Sequence, residues 1–376
     1  MNRILFVHLE GMIGGAEASL LLLVKYLHRR FLINIACLCK SPLSKSMSSI
    51  PVTCYQLPSS PRCSYFSFSF VKYWLRASYH LIKIVVRTQP DIIHANSFYA
   101  ALISVLIAFI MRKKLFIHAR DLTNFGFLAK LFSWSCTKVV ASSHSVEKKL
   151  IEQGVSPEKI EVVYNGVDND LINQSRINRT SSNSINHHKQ DSFVFAHIAQ
   201  FAPWKNHIIF LKAALDVANN LPNARFVLIG DDIFGRNLKY KNSLISYARN
   251  SAIAERISFL GWQQNMNEVW PKIDCLVHTA EREPFGRVII EAMANKIPVI
   301  AVNSCGPSEI IQNGKTGILV QAGDIVSLSN AMLKIFQDAY LASRLANAGY
   351  KHVVSNFTAD KTALLIQEIY KKVLAA

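Results

Sequence analysis

Short apolar runs alternate with segments of helical period along nearly the whole chain, and they do so in two series. In the first series the runs are 4–8, 32–38, 91–94, 114–118 and 139–142, with helical patterns at 16–29 and 97–112 between them. The second series has runs at 193–199, 225–230, 257–260, 275–278, 298–302 and 317–320. Its helical patterns lie at 206–219, 238–251 and 286–296, and a helical stretch fills 325–374. Strands that read as unbroken apolar runs separated by helices are buried on both faces, which implies parallel sheets with helices on each side. Between the two series lies a segment rich in Asn, Ser and Arg with no apolar period, as expected of a linker. The reading is therefore an α/β chain of two doubly wound parallel-sheet, Rossmann-like domains facing a central cleft. The domains span 1–168 and 193–355, joined by a polar linker at 169–192. A terminal helix covers 356–376, and its return to the first domain is left open. Such folds bind ligands outside the carboxyl ends of their strands.

Other whole-chain features narrow the function. The 376 residues carry a net charge of +17, of which +11 falls in residues 1–168 and +6 in the remainder. A basic first half suits nucleic acid, acidic lipid or phosphorylated substrates. No nucleic-acid reading module or base-stacking surface is visible, so nucleic acid is set aside. The longest apolar run, from Tyr99 to Met111, is too short for a bilayer span of about 20 residues and reads as a buried helix. The opening MNRILFVHLE reaches Glu10 before any long apolar core forms, so no signal peptide is read. The seven cysteines have no CxxC pairing and read as reduced thiols of a cytoplasmic protein.

The stretch HTAEREPFGRVIIEAMA, beginning at His278, carries the most chemistry. A strand ends near His278, a loop follows, and a helix opens around Phe285 or Gly286. Gly286 admits a ligand to the backbone, and the unpaired N–H groups of a first helical turn suit a diphosphate. Glu283 precedes that turn and Glu291 lies eight residues on. Phosphate would repel both acids, so they are expected to contact hydroxyls: Glu291 a ribose diol, Glu283 a sugar. Two Glu at that spacing, taken alone, fit an exposed loop acid and a helix-surface acid equally well. The strand and the Pro284-Phe285-Gly286 helix start are what favour a site.

Here the sequence resembles the family 4 glycosyltransferases, retaining nucleotide-sugar-dependent enzymes of the GT-B fold. The Glu-x7-Glu hallmark matches Glu283 and Glu291 in EPFGRVIIEAMANKIPVIA. Further matches follow in order: GGAEASLLLLVKYL, PDIIHANS, VVASSHSVEKKLIEQG, KIEVVYNGVD, FLGW (which holds Gly261 and Trp262) and GPSEIIQNGKTGILV. The resemblance implies that Lys205, Gly261, Trp262, Glu283, Pro284, Phe285, Gly286, Arg287 and Glu291 surround the donor. It also implies that Gly14 and Gly15 offer backbone amides to its phosphates. Where the family has an Arg beside Lys205's segment, this chain has Gln200, which removes one positive charge from the leaving-group side. Charge stabilisation then rests on Lys205, the helix start at Gly286 and Arg287. A Lys at a helix N-terminus is unfavourable against the dipole unless an anion is near, which favours the functional reading of Lys205.

On the acceptor side the resemblance points to His118, Arg120 and Asp121 in LFIHARDL and to Ser142, without choosing among the first three. Lys205, Glu283 and His118 are the candidate catalytic residues. No metal is expected: Asp168-Asn-Asp170 has DxD spacing but sits in the NGVD turn, and Asp231-Asp232 and His187-His188 lack supporting ligands. No cofactor is expected either. The implied partners are a UDP- or GDP-sugar and a lipid-linked or saccharide acceptor in surface polysaccharide or lipopolysaccharide assembly. Residues 64–87 interleave aromatics with Lys72, Arg76, Lys83 and Arg87 on one helical face. This pattern fits reversible contact with acidic lipid on the cytoplasmic face of a membrane, or a helix with a solvated basic side. Two rival readings are a GT-B-like nucleotide-sugar epimerase and a non-catalytic sugar-nucleotide-binding protein.

Overall fold

The computed structural model describes residues 1–9, 14–39, 41–59, 68–172 and 192–375. These residues divide into two units, one comprising Met1–Gly166 and Ala359–Ala376, the other Val167–Thr358. The segment read as a linker falls mostly at 173–191, and part of the basic aromatic segment at 64–67; both lie outside the described residues.

The first unit holds seven parallel strands: β1 (Arg3–His8), β2 (Leu32–Leu38), β3 (Thr53–Leu57), β4 (Ile92–Ala95), β5 (Lys114–Ala119), β6 (Lys138–Ala141) and β7 (Ile160–Val162). Their order is β3-β2-β1-β4-β5-β6-β7. Helices α1 (Gly15–Leu27), α2 (Pro42–Ser46), α3 (Phe68–Thr88), α4 (Phe98–Ile110), α5 (Phe127–Ser135) and α6 (His144–Glu152) connect them. The strands are buried on both faces, and β1 shows how. Leu5 and Val7 pack into the core under α3 to α6, while Ile4 and Phe6 pack into a second core that contains Leu20 and Leu23 of α1. That second core also contains Ile366 and Tyr370 of the chain's last helix, Ala359–Ala375. Local sequence starts the helices in the usual way. Ser97 and Ser143 accept the amides of Ala100 and Val146 at 3.2 and 3.1 Å and so cap α4 and α6.

The second unit has six parallel strands: β8 (Phe193–Ile198), β9 (Ala224–Ile229), β10 (Ile257–Phe259), β11 (Cys275–His278), β12 (Val299–Val302) and β13 (Ile318–Val320), ordered β10-β9-β8-β11-β12-β13. Its helices are α7 (His207–Asn220), α8 (Leu238–Arg249), α9 (Arg287–Ala294), α10 (Cys305–Ile310), α11 (Ile325–Gln337) and α12 (Ala339–Asn356); the last helix is α13. In each sheet the strand order reverses once, between β1 and β4 and between β8 and β11. Ligands of such sheets bind outside the strand ends at that reversal.

Three expectations change. The helical stretch at 325–374 is three helices. Asp338 stops the first and caps the second through the amide of Leu341 at 2.8 Å, and Phe357 and Thr358 separate the second from α13. The apolar run read as a buried helix is α4, but its last turn leaves Leu106, Phe109 and Ile110 exposed. Strands β3 and β7 were not anticipated. Both are sheet edges, short and only partly buried, so they lack a continuous apolar run.

Candidate active site

In the second unit the loops after β8 and β11 meet at the strand-order reversal. After β8 the chain makes a 3-10 turn, Pro203–Lys205, and Asn206 enters α7 with a left-handed φ of 55°. Thr279, just past β11, donates its hydroxyl to the carbonyls of Lys205 and Asn206 at 3.1 and 3.0 Å, and His197 of β8 hydrogen-bonds the same oxygen at 2.8 Å. Asn206 also donates to Glu281 at 2.8 Å. These bonds hold the Lys205 turn against the Glu283 loop, where Lys205 Nζ pairs with Glu283 Oε2. Nζ also lies 4.0 Å above the Trp204 ring. His278 donates from Nε2 to the same carboxylate oxygen at 3.1 Å. Both contacts use Oε2, which leaves Oε1 to accept elsewhere.

Glu283 is only 7% exposed. Burial alone raises a carboxyl's pKa, but the Lys205 ammonium and the His278 N–H outweigh it and hold Glu283 well below the usual range. Two further imidazoles lie close by. Burial, together with the charge of neighbouring groups, lowers His197 far below the ordinary histidine value, and burial lowers His207 to about 3. The base of the site is thus one ion pair set among neutral rings.

Past Glu283, Gly286 adopts a φ of 99° to start α9, and a Cβ there would come within 2.9 Å of Ile289. Gly306 is required for a different reason: a Cβ would fall 2.3–2.6 Å from the Phe285 backbone, against which α10 begins. Arg287 and Glu291 pair along α9 at 2.8 Å. Gly261 and Trp262 follow β10, and the Gly261 carbonyl accepts the Gly230 amide at 2.9 Å. Gln200 is half-buried in the loop after β8. All these residues belong to loops or helix starts at the carboxyl ends of the sheet.

The matching end of the first unit is built otherwise. Gly14 caps α1, but its amide donates to Glu17 Oε2 at 2.7 Å, and Glu17 Oε1 meets His8 Nε2 at 2.9 Å. The chain's own carboxylate therefore occupies this helix start. From His8 the bonds continue to Asn96 at 3.3 Å. Asn96 Oδ1 accepts from Arg120 Nη2 at 3.0 Å, and Asn165 accepts from Arg120 Nη1 at 2.8 Å. Arg120 also donates to His118 Nδ1 at 3.2 Å, and His94 Nε2 approaches the same nitrogen at 3.3 Å. A guanidinium can only donate, so Nδ1 of His118 is an acceptor and its proton sits on Nε2. By the same logic Tyr370 donates to His94 Nδ1.

The structure buries His118 to 1% exposure, on the α1 and α13 side of its sheet, whereas Arg120 is half-buried and Asp121 exposed. Asp121 caps its own turn through the Thr123 amide. Ser142 is buried, and its hydroxyl has no hydrogen-bond partner among the described residues. The DxD spacing, read as a turn, instead opens a helix: residues 169–172 are helical, and the Asp170 amide donates to Asp168 Oδ1. Among the described residues no three His, Cys, Asp or Glu side chains stand together to hold a metal ion. Sequence reasoning missed His8, Glu17, His94, Asn96, Asn165, His197 and Thr279. The readable signal was a histidine near the end of each apolar strand β1, β4, β5 and β8, where a polar residue needs a buried partner.

Comparison with known proteins agrees along the chain. The family described as Glycosyltransferase Family 4 matches residues 13–171, and that described as Glycosyl transferases group 1 matches residues 178–352. The UDP-Gal:alpha-D-GlcNAc-diphosphoundecaprenol alpha-1,3-galactosyltransferase of Escherichia coli is 25% identical, covering 98% of this chain and 96% of its own. The N-acetyl-alpha-D-glucosaminyl L-malate synthase of Bacillus anthracis is 26% identical over 82% of each. The crystal structure of Anabaena HepE in complex with UDP-glucose superposes with a TM-score of 0.84 at 23% identity, covering 98% of this chain and 99% of that one. The chain belongs to the family 4 glycosyltransferases. It is a glycosyltransferase of the GT-B fold.

Proposed function

We propose that the chain transfers a sugar, with retention at the anomeric carbon, from a UDP- or GDP-sugar to a hydroxyl of a lipid-linked or saccharide acceptor in surface-polysaccharide assembly. The second unit takes the donor and the first unit the acceptor. The observation that carries this reading is the Lys205–Glu283–His278 cluster at the strand-order reversal of the second unit. Lys205 and the N-terminus of α9 at Gly286 bind the diphosphate, and Oε1 of Glu283 accepts from a sugar hydroxyl. Glu291 takes the ribose diol, with Arg287 orienting it. The E. coli relative and HepE carry a UDP-sugar in their names or crystals, which favours uridine over guanosine.

In the transfer step the acceptor oxygen bonds to the anomeric carbon as the bond to the phosphate oxygen breaks. The acceptor's proton passes to that departing oxygen on the same face of the sugar. Leaving-group charge develops beside Lys205, where a preformed cation among neutral imidazoles stabilises it without reorganisation. Gln200 adds at most a hydrogen bond there. No metal takes part in this scheme. On the acceptor side we assign contact to Arg120 and Asp121, with His118 as the residue that positions Arg120 from beneath. A lipid-linked acceptor also calls for reversible contact with acidic lipid through residues 64–87.

Thermal-shift measurement against a panel of nucleotide sugars tests the donor site. One nucleotide sugar is expected to stabilise the protein, and Lys205→Ala and Glu291→Ala are expected to lose that shift. Unchanged affinity in both variants would refute the site. Slow donor hydrolysis without acceptor separates an enzyme from a mere binder.

A further inference from the structure

Helix α3 has three sides. Tyr73, Ala77, Leu81, Ile84 and Val85 face the core. Directly opposite, Phe68, Val71, Leu75, Tyr79, Ile82 and Val86 recur at helical spacing and are all exposed, Phe68 to 85%. Lys72, Arg76, Lys83 and Arg87 flank this outer stripe along one edge, so the cations do not face a simple solvated side. A water-facing helix does not carry an apolar stripe on its outer side.

The stripe does not end with α3. Trp74 Nε1 donates to the Leu102 carbonyl at 3.0 Å and ties α3 to α4, whose exposed last turn holds Phe109 and Ile110. The Phe109 ring lies 5.9 Å from that of Trp134 on α5. Trp134 is 72% exposed, and Phe127 and Leu131 of the same helix are exposed too. Three neighbouring helices on one side of one sheet thus present aromatic and aliphatic side chains outward. Arg112, Lys113, Lys114 and Lys130 flank them.

Charge identifies the occupant. Between residues 18 and 146 the sequence holds sixteen Lys or Arg and only two acids, Asp91 and Asp121. Helices α3, α4 and α5 contain none of those acids. An apolar face ringed by cations, with aromatics at its margin, matches the acyl chains and headgroups of an anionic bilayer. A surface meant for a second copy of the same basic chain would set cation against cation. Among the described residues no helix is long and apolar enough to cross a membrane.

We infer that α3, α4 and α5 form one inserting face, which enters a single leaflet of an anionic bilayer with Trp134, Phe109 and the α3 stripe at acyl-chain level. This deepens the lipid contact proposed above and rests on that reading for the acceptor it serves. The cations on the α3 flank reach back to the headgroups while their stems lie on the apolar surface.

Vesicles of phosphatidylcholine, with and without phosphatidylglycerol and carrying brominated acyl chains, test it. The protein is expected to float with the anionic vesicles and to lose part of its tryptophan emission to bromine. Trp134→Phe removes that quenched part. Val71→Ser with Leu75→Ser, and separately Phe109→Ser with Trp134→Ser, are expected to weaken flotation about tenfold each. All of these are surface changes, and donor turnover without acceptor is expected to stay at the wild-type level. Flotation that survives both pairs with no bromine quenching would overturn insertion and leave only headgroup contact. A lipid-independent dimer in light scattering that the same pairs abolish would assign the face to a second copy instead. Vesicle binding by a protein that never turns over any donor would sink the glycosyltransfer scheme and leave this inference standing.

Discussion

The two sheets reverse strand order in the same way, yet they furnish the reversal differently. In the second unit the loops present a cation and an anion together, Lys205 and Glu283, with the anion's second oxygen unspent. In the first unit an acid of the chain itself, Glu17, fills the helix start, and the rest is a chain of Asn, His and Arg ending at Tyr370. A preformed charge pair beside a helix start suits a charged, leaving diphosphate. A network of neutral groups around one arginine suits recognition of hydroxyls. In the proposed scheme the same fold feature serves chemistry in one unit and positioning in the other.

The largest expected effect separates the two sides. Lys205→Ala should lower transfer by about a thousandfold. Because it strands a buried carboxylate, it should also destabilise the second unit by about 3–5 kcal/mol. Activity assays and thermal unfolding check both, and Glu283→Gln in the Lys205→Ala background should restore much of the stability but none of the activity.

Acid comes next, and it acts on both units alike. His94, His118, His197 and His207 are buried with lowered pKa values, His94 and His207 to about 3. Burial is the main cause in all four, and the Arg120 charge adds to it at His94 and His118. The unfolded chain takes up protons near pH 6.5 and the folded one does not, so stability falls as pH drops below 6.5. By pH 5 each such ring costs about 2 kcal/mol. Unfolding is therefore expected well above the carboxylate range. Glu283 adds its own loss only below about pH 4.5, where its unfolded form protonates. His94→Phe and His207→Phe should each flatten the stability–pH curve between 6.5 and 5, one through each unit. An unchanged slope in either variant would contradict a neutral ring there.

Glu17→Ala is a smaller perturbation. It removes the α1 cap and should cost about 1–2 kcal/mol while leaving donor affinity unchanged. A donor that binds more tightly to this variant would show that the Gly14 amide holds phosphate in competition with Glu17. Smallest of all, Gln200→Arg adds a cation near the leaving group and should tighten donor binding about threefold. Its thermal shift against the cognate donor measures this.

How legible all this was depended on what each residue leaves in the sequence. Buried strands such as Cys275–His278 leave an unbroken apolar run, whereas the edge strands Thr53–Leu57 and Ile160–Val162 are partly wet and leave none. Lys205 stood out because a lysine at a helix start opposes the dipole, whereas Glu283 and Gly286 stood out through their setting, a buried strand followed by a Pro-Phe-Gly helix start, and through the Glu-x7-Glu resemblance. Glu17 drew no separate reading inside the GGAEASLLLLVKYL motif, and His94 read only as the end of the apolar run 91–94. The Gly14 amide lies only three residues from Glu17, but Glu17's other partner, His8, sits on β1, and His94's partner, Tyr370, lies 276 residues away, so only the folded chain brings these together. The face on α3, α4 and α5 was half visible: the cations shared a side, but exposure of the opposite stripe is a property of packing.

Helix α13 has a consequence for how the protein is made. It is synthesised after the whole Val167–Thr358 unit, yet Ile366 and Tyr370 complete the core beneath β1, which is made before that unit. The Val167–Thr358 unit can therefore mature before α13 is made, while the other unit waits, its β1 and α1 surface needing protection until α13 emerges. Removing α13 would injure the unit built on β1, far along the chain from the cut.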